Sequence, residues 1–205
     1  MSLINDSHQK ELRAAGWHRR GYLPHFDGIE IPQFITFHLD DSVPRKVILR
    51  WHNELKLVQD EQQRLLLIRR IERYLDQGYG EAFLKNTRVA DMVQNSLLKF
   101  DGLRYRLFAW VVMPNHVHSL MTRCEGYELK DVIHSLKSYT AHEANKILRR
   151  RGKFWIDDYF DRYTRSEKHF YKTIEYIENN PVKAGLCEKP ADWPYSSARW
   201  RRGKE

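Results

Sequence analysis

The amino-acid sequence predicts an α+β fold in a chain of 205 residues, with an antiparallel sheet and helices packed mainly on one face of it. Three observations support this prediction. Short runs of apolar residues suit strands, longer runs with apolar residues spaced near 3.6 suit helices, and a Pro-Asn turn separates two of the strand-like runs. The expected order is strand, helices, strand, strand, helix, strand, helix, which is the pattern of a ferredoxin-like domain.

The first half of the chain is expected to hold an arm, one strand and a helical insertion. Residues 1–30 are polar and rich in rings and glycine, which indicates an N-terminal arm or loop. The run QFITFHLDD alternates well enough to be a strand. Between about 43 and 100, helical apolar spacing precedes Gly78 and again Gly102, so we expect two helices that end at these glycines.

The second half is expected to hold a hairpin, a helix, a strand and a last helix. YRLFAWVVM and HVHSLMT form two strands joined at Pro114 and Asn115, and LKDVIHSLKSYTAHEANKILRRRG follows as a helix. FWIDDYFDRYTR indicates a fourth strand region. Ser166 caps the last helix, and Pro181 is expected to end it near 179–180. The core domain is therefore predicted to span 31–186, and a basic C-terminal tail 187–205.

Composition narrows the classes of protein that the chain can belong to. The formal net charge of +8, from 35 Lys and Arg against 27 Asp and Glu, favours a polyanionic partner, with nucleic acid the leading candidate. The two cysteines form no CxxC pair, which gives little support to a cysteine-rich zinc site. No apolar run approaches a membrane span and no signal peptide is recognisable, so a soluble, cytoplasmic protein with no membrane partner is expected.

A pair of histidines opens the second strand of the hairpin. Successive side chains of a strand point to opposite faces, so His116 and His118 share one face. Imidazole is a common ligand of divalent metals, and such a pair forms half of a metal site. The alternative is that both are ordinary polar residues on the open face of a sheet, because a His-x-His pair alone is a weak signal.

The last helix supplies groups that complete such a site. Tyr176 and Asn180 are four residues apart, which places phenol and amide on one helical face. An oxygen ligand beside two imidazoles would leave open metal positions, and a nearby tyrosine could attack a phosphate. Tyr176 as a core ring and Asn180 as a helix C-cap are the alternatives. Tyr139, on the preceding helix, is a competing nucleophile, but its apolar spacing favours packing or DNA contact.

Five segments carry a resemblance to a known family: WVVMPNHVHSLM, SLKSYTAHEANK, FWIDDYFDRYTRSEKHF, YIENNPVKAGL and DWPYSSARW. They run from about Trp110 to Trp200 and resemble the REP-associated tyrosine transposases, relatives of the single-tyrosine transposases with a His-hydrophobic-His (HUH) motif. The resemblance implies a ferredoxin-like fold and cleavage of single-stranded DNA beside a repetitive extragenic palindrome (REP) hairpin. It also implies a 5′-phosphotyrosine link, a free 3′-OH, and Mg²⁺ or Mn²⁺ as cofactor.

Carried onto this chain, the resemblance makes His116 and His118 the metal pair, Tyr176 the nucleophile and Asn180 the third metal ligand. Asn180 stands where related transposases have a longer Gln. The expected partner is single-stranded DNA with a hairpin, and a monomer is favoured, with a dimer as the alternative. The surface residues predicted to contact DNA are Lys137, Arg162, Arg165, Lys183, Arg199, Arg201, Arg202, Trp193 and Trp200.

Two other classes of protein are weighed against this one. A histidine-triad nucleotide hydrolase needs a third histidine two residues after His118, where this chain has Leu120, so the motif excludes that class. A catalytically silent, domesticated nucleic-acid-binding protein would keep the fold and most of the basic charge. A metal-dependent covalent adduct with single-stranded DNA separates this second alternative from a transposase.

Overall fold

The computed structural model of the chain describes residues 17–20, 23–26, 31–58 and 60–202, and most side chains from residue 31 onward. The strands are β1 Trp17–Arg20, β2 Leu23–Phe26, β3 Gln33–His38, β4 Tyr105–Val112, β5 His116–Arg123 and β6 Phe160–Tyr163. The helices are α1 Arg45–Glu54, α2 Asp60–Leu75, α3 Thr87–Lys99, α4 Leu129–Ile147, α5 Glu167–Lys183 and α6 Ser197–Arg202. Short 3₁₀ helices lie at Phe83–Lys85 and Pro190–Asp192.

The main sheet has four antiparallel strands in the order β4-β5-β3-β6. Counted along the chain, these are the second, third, first and fourth strands of the sheet. Helices connect the first strand to the second and the third strand to the fourth. This is the ferredoxin-like arrangement, and the predicted α+β fold class is confirmed, except that helices cover both faces of the sheet and not mainly one. β1 and β2 form a separate antiparallel pair where only an irregular arm was expected.

One face of the main sheet is covered by α3 and α4. Ile35 and Val117 of the central strands pack in one cluster with Val93 of α3 and Ile133 of α4, and all four are almost fully buried. β3 is buried along its whole length, including its polar residues Gln33, Thr36 and His38. The largest apolar cluster of the described residues lies on this side of the sheet.

The opposite face is covered by two other helices at different places. Phe34 and Leu120 pack against Ile177 of α5, and Phe160 of β6 packs against Ile71 of α2. Phe34 and Phe160 lie on the same face, because Phe160 pairs with Thr36, two residues along β3 from Phe34. The second face therefore carries α5 near β4 and β5, and α2 near β6, with the middle of the sheet between them.

Helix ends follow the predictions at one terminus of α5 and not at the other. Ser166 caps its start, since the Ser166 hydroxyl accepts a hydrogen bond from the His169 amide at 3.2 Å. The prediction that Pro181 ends the helix near 179–180 is wrong, because α5 continues to Lys183. Pro181 lies in the last turn, where it removes only one helical hydrogen bond, and the Ala184 amide still donates to the Asn180 carbonyl.

The C-terminal segment lies along the outer edge of β4. The Val112 amide donates to the Tyr195 carbonyl at 2.8 Å, the Trp193 indole donates to the Val112 carbonyl at 3.0 Å, and the Trp110 amide donates to the Ser197 hydroxyl at 3.2 Å. This part of the predicted tail thus satisfies edge groups that a sheet otherwise leaves unpaired. Across the described part of the chain, every helix is too short or too polar to cross a membrane.

Tyr105 links the sheet to α3, and its removal should lower stability. Its buried hydroxyl donates to the Leu97 carbonyl near the end of α3, at 2.6 Å. We expect Tyr105→Phe to lower the free energy of unfolding in urea by about 1 kcal/mol, since one buried carbonyl loses a donor. Tyr139→Phe, on a ring that is 55% exposed, is the matched control and should change little. Equal stability of Tyr105→Phe and wild type would show that the hydrogen bond from Tyr105 to Leu97 does not stabilise the fold.

Candidate active site

The two histidines of the hairpin converge on the sheet face between α2 and α5. His118 lies opposite Thr36 of β3, and His116 lies opposite His38. Both imidazoles are buried, with exposures of 1% for His116 and 0% for His118. Their Nε2 atoms are 3.0 Å apart, as expected for side chains two residues apart along one strand that turn toward a common point.

Asn115 determines the orientation of His116. Its Nδ2 donates to the carbonyls of Leu75, at 3.1 Å, and Tyr79, at 3.2 Å, which leaves Oδ1 to face His116 Nδ1 at 2.7 Å. An amide oxygen only accepts hydrogen bonds, so Nδ1 of His116 carries the hydrogen and Nε2 keeps a free lone pair. The hairpin turn residue thus prepares one metal-binding nitrogen.

Thr36 allows His118 to present the same kind of nitrogen. Its hydroxyl lies 2.7 Å from His118 Nδ1 and can either donate to that atom or accept from it. With Thr36 as donor, the Nε2 hydrogen of His118 bonds to His116 Nε2. With Thr36 as acceptor, both Nε2 lone pairs face the same point, which requires a cation between them. In both arrangements every ring nitrogen of the two histidines has a partner, so the site can exist with and without a metal ion.

Burial keeps these imidazoles uncharged. It lowers the pKa of His118 to about 3 and, with the neighbouring His118, lowers the pKa of His116 well below its usual range. Burial also lowers the pKa of His38 to about 4. Neutral imidazole is the form that binds metals, so at neutral pH no proton has to leave before a cation binds.

The donor set fits a divalent metal. Two metal–ligand bonds of about 2.1 Å at a right angle place the donors about 3.0 Å apart, which matches the Nε2 separation. Asn180 is 1% exposed, and its amide makes no well-formed hydrogen bond, although its interaction with the Tyr176 hydroxyl opposes the rise in the pKa of that phenol. The amide oxygen is therefore available as a ligand. Within the described ranges no three His, Cys, Asp or Glu side chains group as a metal site, which leaves an amide or water to complete the coordination.

Tyr176 lies over the same part of the sheet, one helical turn before Asn180. Its ring centroid is 5.7 Å from that of His118 and 5.8 Å from that of Phe34. Burial, followed by the charges of Glu72 and Asp76, raises the pKa of the phenol, and Arg162 opposes this rise. The phenol is therefore protonated at neutral pH and needs a partner that removes its proton before it can act as a nucleophile.

Charged side chains from three elements surround Tyr176. Lys183 of α5 places its ammonium group 5.1 Å from the Tyr176 ring centroid, and Arg162 of β6 lies 5.8 Å from the ring centroid of Phe34. Glu72 and Asp76 face them from α2 and the residue after it. Burial raises the pKa of Glu72 to about 7, against the nearby Arg162 charge. The site thus combines two cations that can bind phosphate with two carboxylates.

The other predicted DNA-contacting residues lie in different environments. The surface position predicted for Lys137 is wrong, because its Nζ is buried and donates to the carbonyls of Asp157 and Asp158.

The remaining predicted DNA-contacting residues differ in exposure. Trp193 is half-buried and hydrogen-bonded to β4. Arg201 pairs with Glu178 at 2.9 Å. Arg165, Arg199 and Trp200 are exposed, and the side chain of Arg202 lies outside the described residues. The competing Tyr139 is exposed on α4, away from the histidines.

Several residues of the site were missed by sequence reasoning. Thr36 and His38 lie on a predicted strand whose face was not assigned, and the alternation of QFITFH places both on one side. Asn115 was recognised only as a turn residue. Glu72 and Asp76 show the spacing of one helical face, but nothing in the sequence places α2 beside α5.

Comparison with known proteins supports a relationship over the region that contains the histidines. Residues 83–180 match the family model described as "Transposase IS200 like". The matched region includes both histidines, Tyr176 and Asn180, and begins after α2. It covers a little under half of the chain.

Two curated relatives and one solved structure are similar to the chain. A REP-associated tyrosine transposase of Escherichia coli strain K12 is 27% identical over 108 residues, 52% of this chain and 62% of the relative. A Haemophilus influenzae protein of the same description is 30% identical over 105 residues, 45% of this chain and 58% of the relative. The chain thus spans about three fifths of these relatives. A solved REP-associated tyrosine transposase bound to a REP hairpin superposes with a TM-score of 0.52 at 17% identity, over 87% of this chain and 82% of that one, which supports the fold.

The buried histidines should make the metal-free protein less stable in acid. Unfolding returns His38 to its ordinary pKa of about 6.5 from about 4 in the folded state. Between these values the unfolded chain binds a proton that the folded chain does not, so this contribution to stability falls as the pH drops below 6.5. The raised pKa of Glu72 acts in the opposite direction, so a variant must isolate the histidine.

We expect His38→Asn, which keeps a donor for the Leu39 carbonyl, to lower the slope of unfolding free energy against pH. The decrease should be up to about 1.4 kcal/mol per pH unit between pH 5 and 6.5. Urea unfolding in EDTA measures the slope, and His142→Asn, at an exposed position, is the control. An unchanged slope in His38→Asn would show that His38 takes up a proton in the folded state.

Proposed function

We propose that this chain is a metal-dependent transposase of single-stranded DNA, because residues 83–180 match the family model described as "Transposase IS200 like". It cuts the strand beside a REP-type hairpin and rejoins it through a 5′-phosphotyrosine intermediate. The observation that carries the proposal is the convergence of four groups. Two neutral imidazoles face each other at 3.0 Å, and the buried Asn180 amide and the Tyr176 phenol come from consecutive turns of α5.

The residues of the site have separate tasks in this reaction. His116, His118 and Asn180 hold a divalent metal, which supplies Lewis-acid stabilisation of charge on the phosphate oxygens. Arg162 and Lys183 bind the phosphate and orient it. The Tyr176 hydroxyl oxygen attacks phosphorus as the bond to the 3′ oxygen breaks, leaving a free 3′-OH. The covalent phosphotyrosine conserves the bond energy for rejoining, so no nucleotide cofactor is required.

The chemistry of the ligands favours Mn²⁺ over Mg²⁺. Two of the three proposed ligands are imidazole nitrogens, and Mg²⁺ prefers an octahedral shell of oxygen atoms with several waters. Mn²⁺ accepts nitrogen more readily. We therefore propose that both ions bind the site, with Mn²⁺ bound more tightly.

Two observations support a hairpin substrate. The solved relative was bound to a REP hairpin, and the formal charge of +8 favours a polyanion. The Tyr176 ring is partly buried against the sheet, so the scissile phosphate must enter the cleft between α2 and α5. A flexible single strand can enter such a cleft more easily than a paired duplex. The hairpin stem then supplies the shape and phosphates that the basic surface binds.

The nucleophile is tested by Tyr176→Phe, which keeps the ring and removes the hydroxyl. We expect wild type to form a covalent protein–DNA adduct with labelled REP hairpins in Mn²⁺, and Tyr176→Phe to form none while it still binds the hairpin. Tyr139→Phe is the matched control and should form the adduct as wild type does. Denaturing gels measure the adduct. Its survival in Tyr176→Phe would contradict the assignment, and its absence from wild type would favour the silent binding protein.

The metal ligands are tested by binding of Mn²⁺ itself. We expect His116→Ala and His118→Ala each to abolish measurable Mn²⁺ binding by calorimetry, because each removes one of two nitrogen ligands. Thr36→Val, which removes only the partner of His118 Nδ1, should weaken it about 10- to 100-fold. His134→Ala, at an exposed position on α4, serves as control. Wild-type affinity in both histidine variants would place the metal elsewhere.

A further inference from the structure

The proposed reaction needs a group that removes the proton of Tyr176. The phenol is protonated at neutral pH, and the imidazoles beside it have no free nitrogen once they bind a cation. Their Nδ1 atoms bond to Asn115 and Thr36, and their Nε2 atoms face each other. Arg162 and Lys183 are cations and cannot accept a proton. The acceptor must therefore come from the other wall of the cleft, on α2.

Two carboxylates at the C-terminal end of α2 are placed for this role. Glu72 and Asp76 are four residues apart and so lie on the same side of the end of α2, and the charges of Arg162 of β6 and Lys183 of α5 act on Glu72. The position of this end of α2 is set by a direct contact, because the Leu75 carbonyl accepts a hydrogen bond from Asn115. Asn115 in turn holds His116. The carboxylates and the histidines are therefore positioned by one shared hydrogen-bond network.

Glu72 has an oxygen with no other use in the fold. Its Oε1 is buried and lacks a hydrogen-bond partner, although buried carboxylate oxygens normally accept several hydrogen bonds. Of the charged side chains that shift the pKa of Tyr176, Glu72 has the strongest effect, and it raises that pKa. Asp76 has a weaker effect on the pKa of Tyr176, and its Oδ1 is also buried without a hydrogen-bond partner.

We propose that the Glu72 carboxylate accepts the proton of the Tyr176 hydroxyl, directly or through one water molecule, as the phenol oxygen attacks the DNA phosphate. This proposal rests on the function proposed above. The O–H bond of Tyr176 breaks, its oxygen forms a bond to phosphorus, and the bond between phosphorus and the 3′ oxygen breaks. The 3′ oxygen takes a proton from water, and the proton released by Glu72 neutralises the hydroxide left behind, so protons balance. In the joining step a 3′-OH attacks phosphorus and passes its proton to water, the bond between phosphorus and the Tyr176 oxygen breaks, and that oxygen takes a proton from Glu72, which has regained one from water.

The surroundings of Glu72 suit a group that gains and loses a proton near neutral pH. Arg162 of β6, Lys183 of α5 and Arg69 of α2 favour its charged form, whereas burial and Asp76 oppose it. The balance sets the pKa of Glu72 at about 7, which is near the optimum for a general base in water at neutral pH. The helix that carries Glu72 precedes the segment matched by the family model.

The test measures the rate of adduct formation by the full chain with a REP hairpin and saturating Mn²⁺, between pH 5.5 and 8.5. In wild type, the rate should rise with pH through one inflection and then level off. Glu72→Gln should lower the plateau rate by about 10²- to 10⁴-fold and remove the inflection, while hairpin binding and Mn²⁺ affinity stay unchanged. Glu125→Gln, which makes the same chemical change at an exposed position outside the site, is the matched control and should keep the inflection and the wild-type rate.

The rate of Glu72→Gln distinguishes a proton acceptor from a residue that acts only through its charge. If Glu72 only raised the phenol pKa, Glu72→Gln would react faster, and that outcome would overturn the proposal. Retention of the wild-type rate and inflection would overturn it as well. If Glu72→Gln does not fold, Glu72→Asp should move the inflection to lower pH, and an unmoved inflection would count against Glu72. An adduct that forms in Tyr176→Phe, or none in wild type, would instead refute the proposed function itself.

Discussion

The candidate site depends on the three hydrogen bonds of the Asn115 side chain. Its amide nitrogen holds the carbonyls of Leu75 and Tyr79, and its oxygen holds His116. These bonds tie the end of α2 to the turn of the hairpin and define the hydrogen on His116. A side chain that only accepted or only donated hydrogen bonds could not make both connections. The end of α2 and the Nε2 lone pair of His116 are thereby positioned by one residue.

Burial has opposite consequences for the groups in this cleft. It keeps the imidazoles neutral and ready to bind a cation, but it also keeps the phenol protonated and so less reactive. The same low-dielectric surroundings strengthen the effect of any cation bound between the histidines and of Arg162 and Lys183 on a phosphate. In the proposed reaction, a bound metal ion would add to the positive charge of Arg162 and Lys183, beside carboxylates that can take up a proton.

The parts of the site that lie within single elements were predictable from the sequence. The strand period places His116 and His118 together, the helix period places Tyr176 and Asn180 together, and Ser166 marks the start of α5. The neighbours Thr36, His38 and Glu72 depend on which strand and which helix adjoin the hairpin in space, which no local pattern encodes. The predicted end of α5 was wrong because a proline disturbs the last turn of a helix only slightly. The predicted surface position of Lys137 was wrong because a long basic side chain can reach buried carbonyls.

The most direct test of the account is to identify the amino acid that carries DNA in the wild-type adduct. Tryptic digestion followed by mass spectrometry would place the nucleotide on one peptide, and two candidate peptides each contain a single tyrosine: residues 138–146 with Tyr139 and residues 173–183 with Tyr176. The account predicts that the nucleotide is attached to the peptide 173–183, at Tyr176. Attachment to the peptide 138–146, or to any other residue, would contradict it.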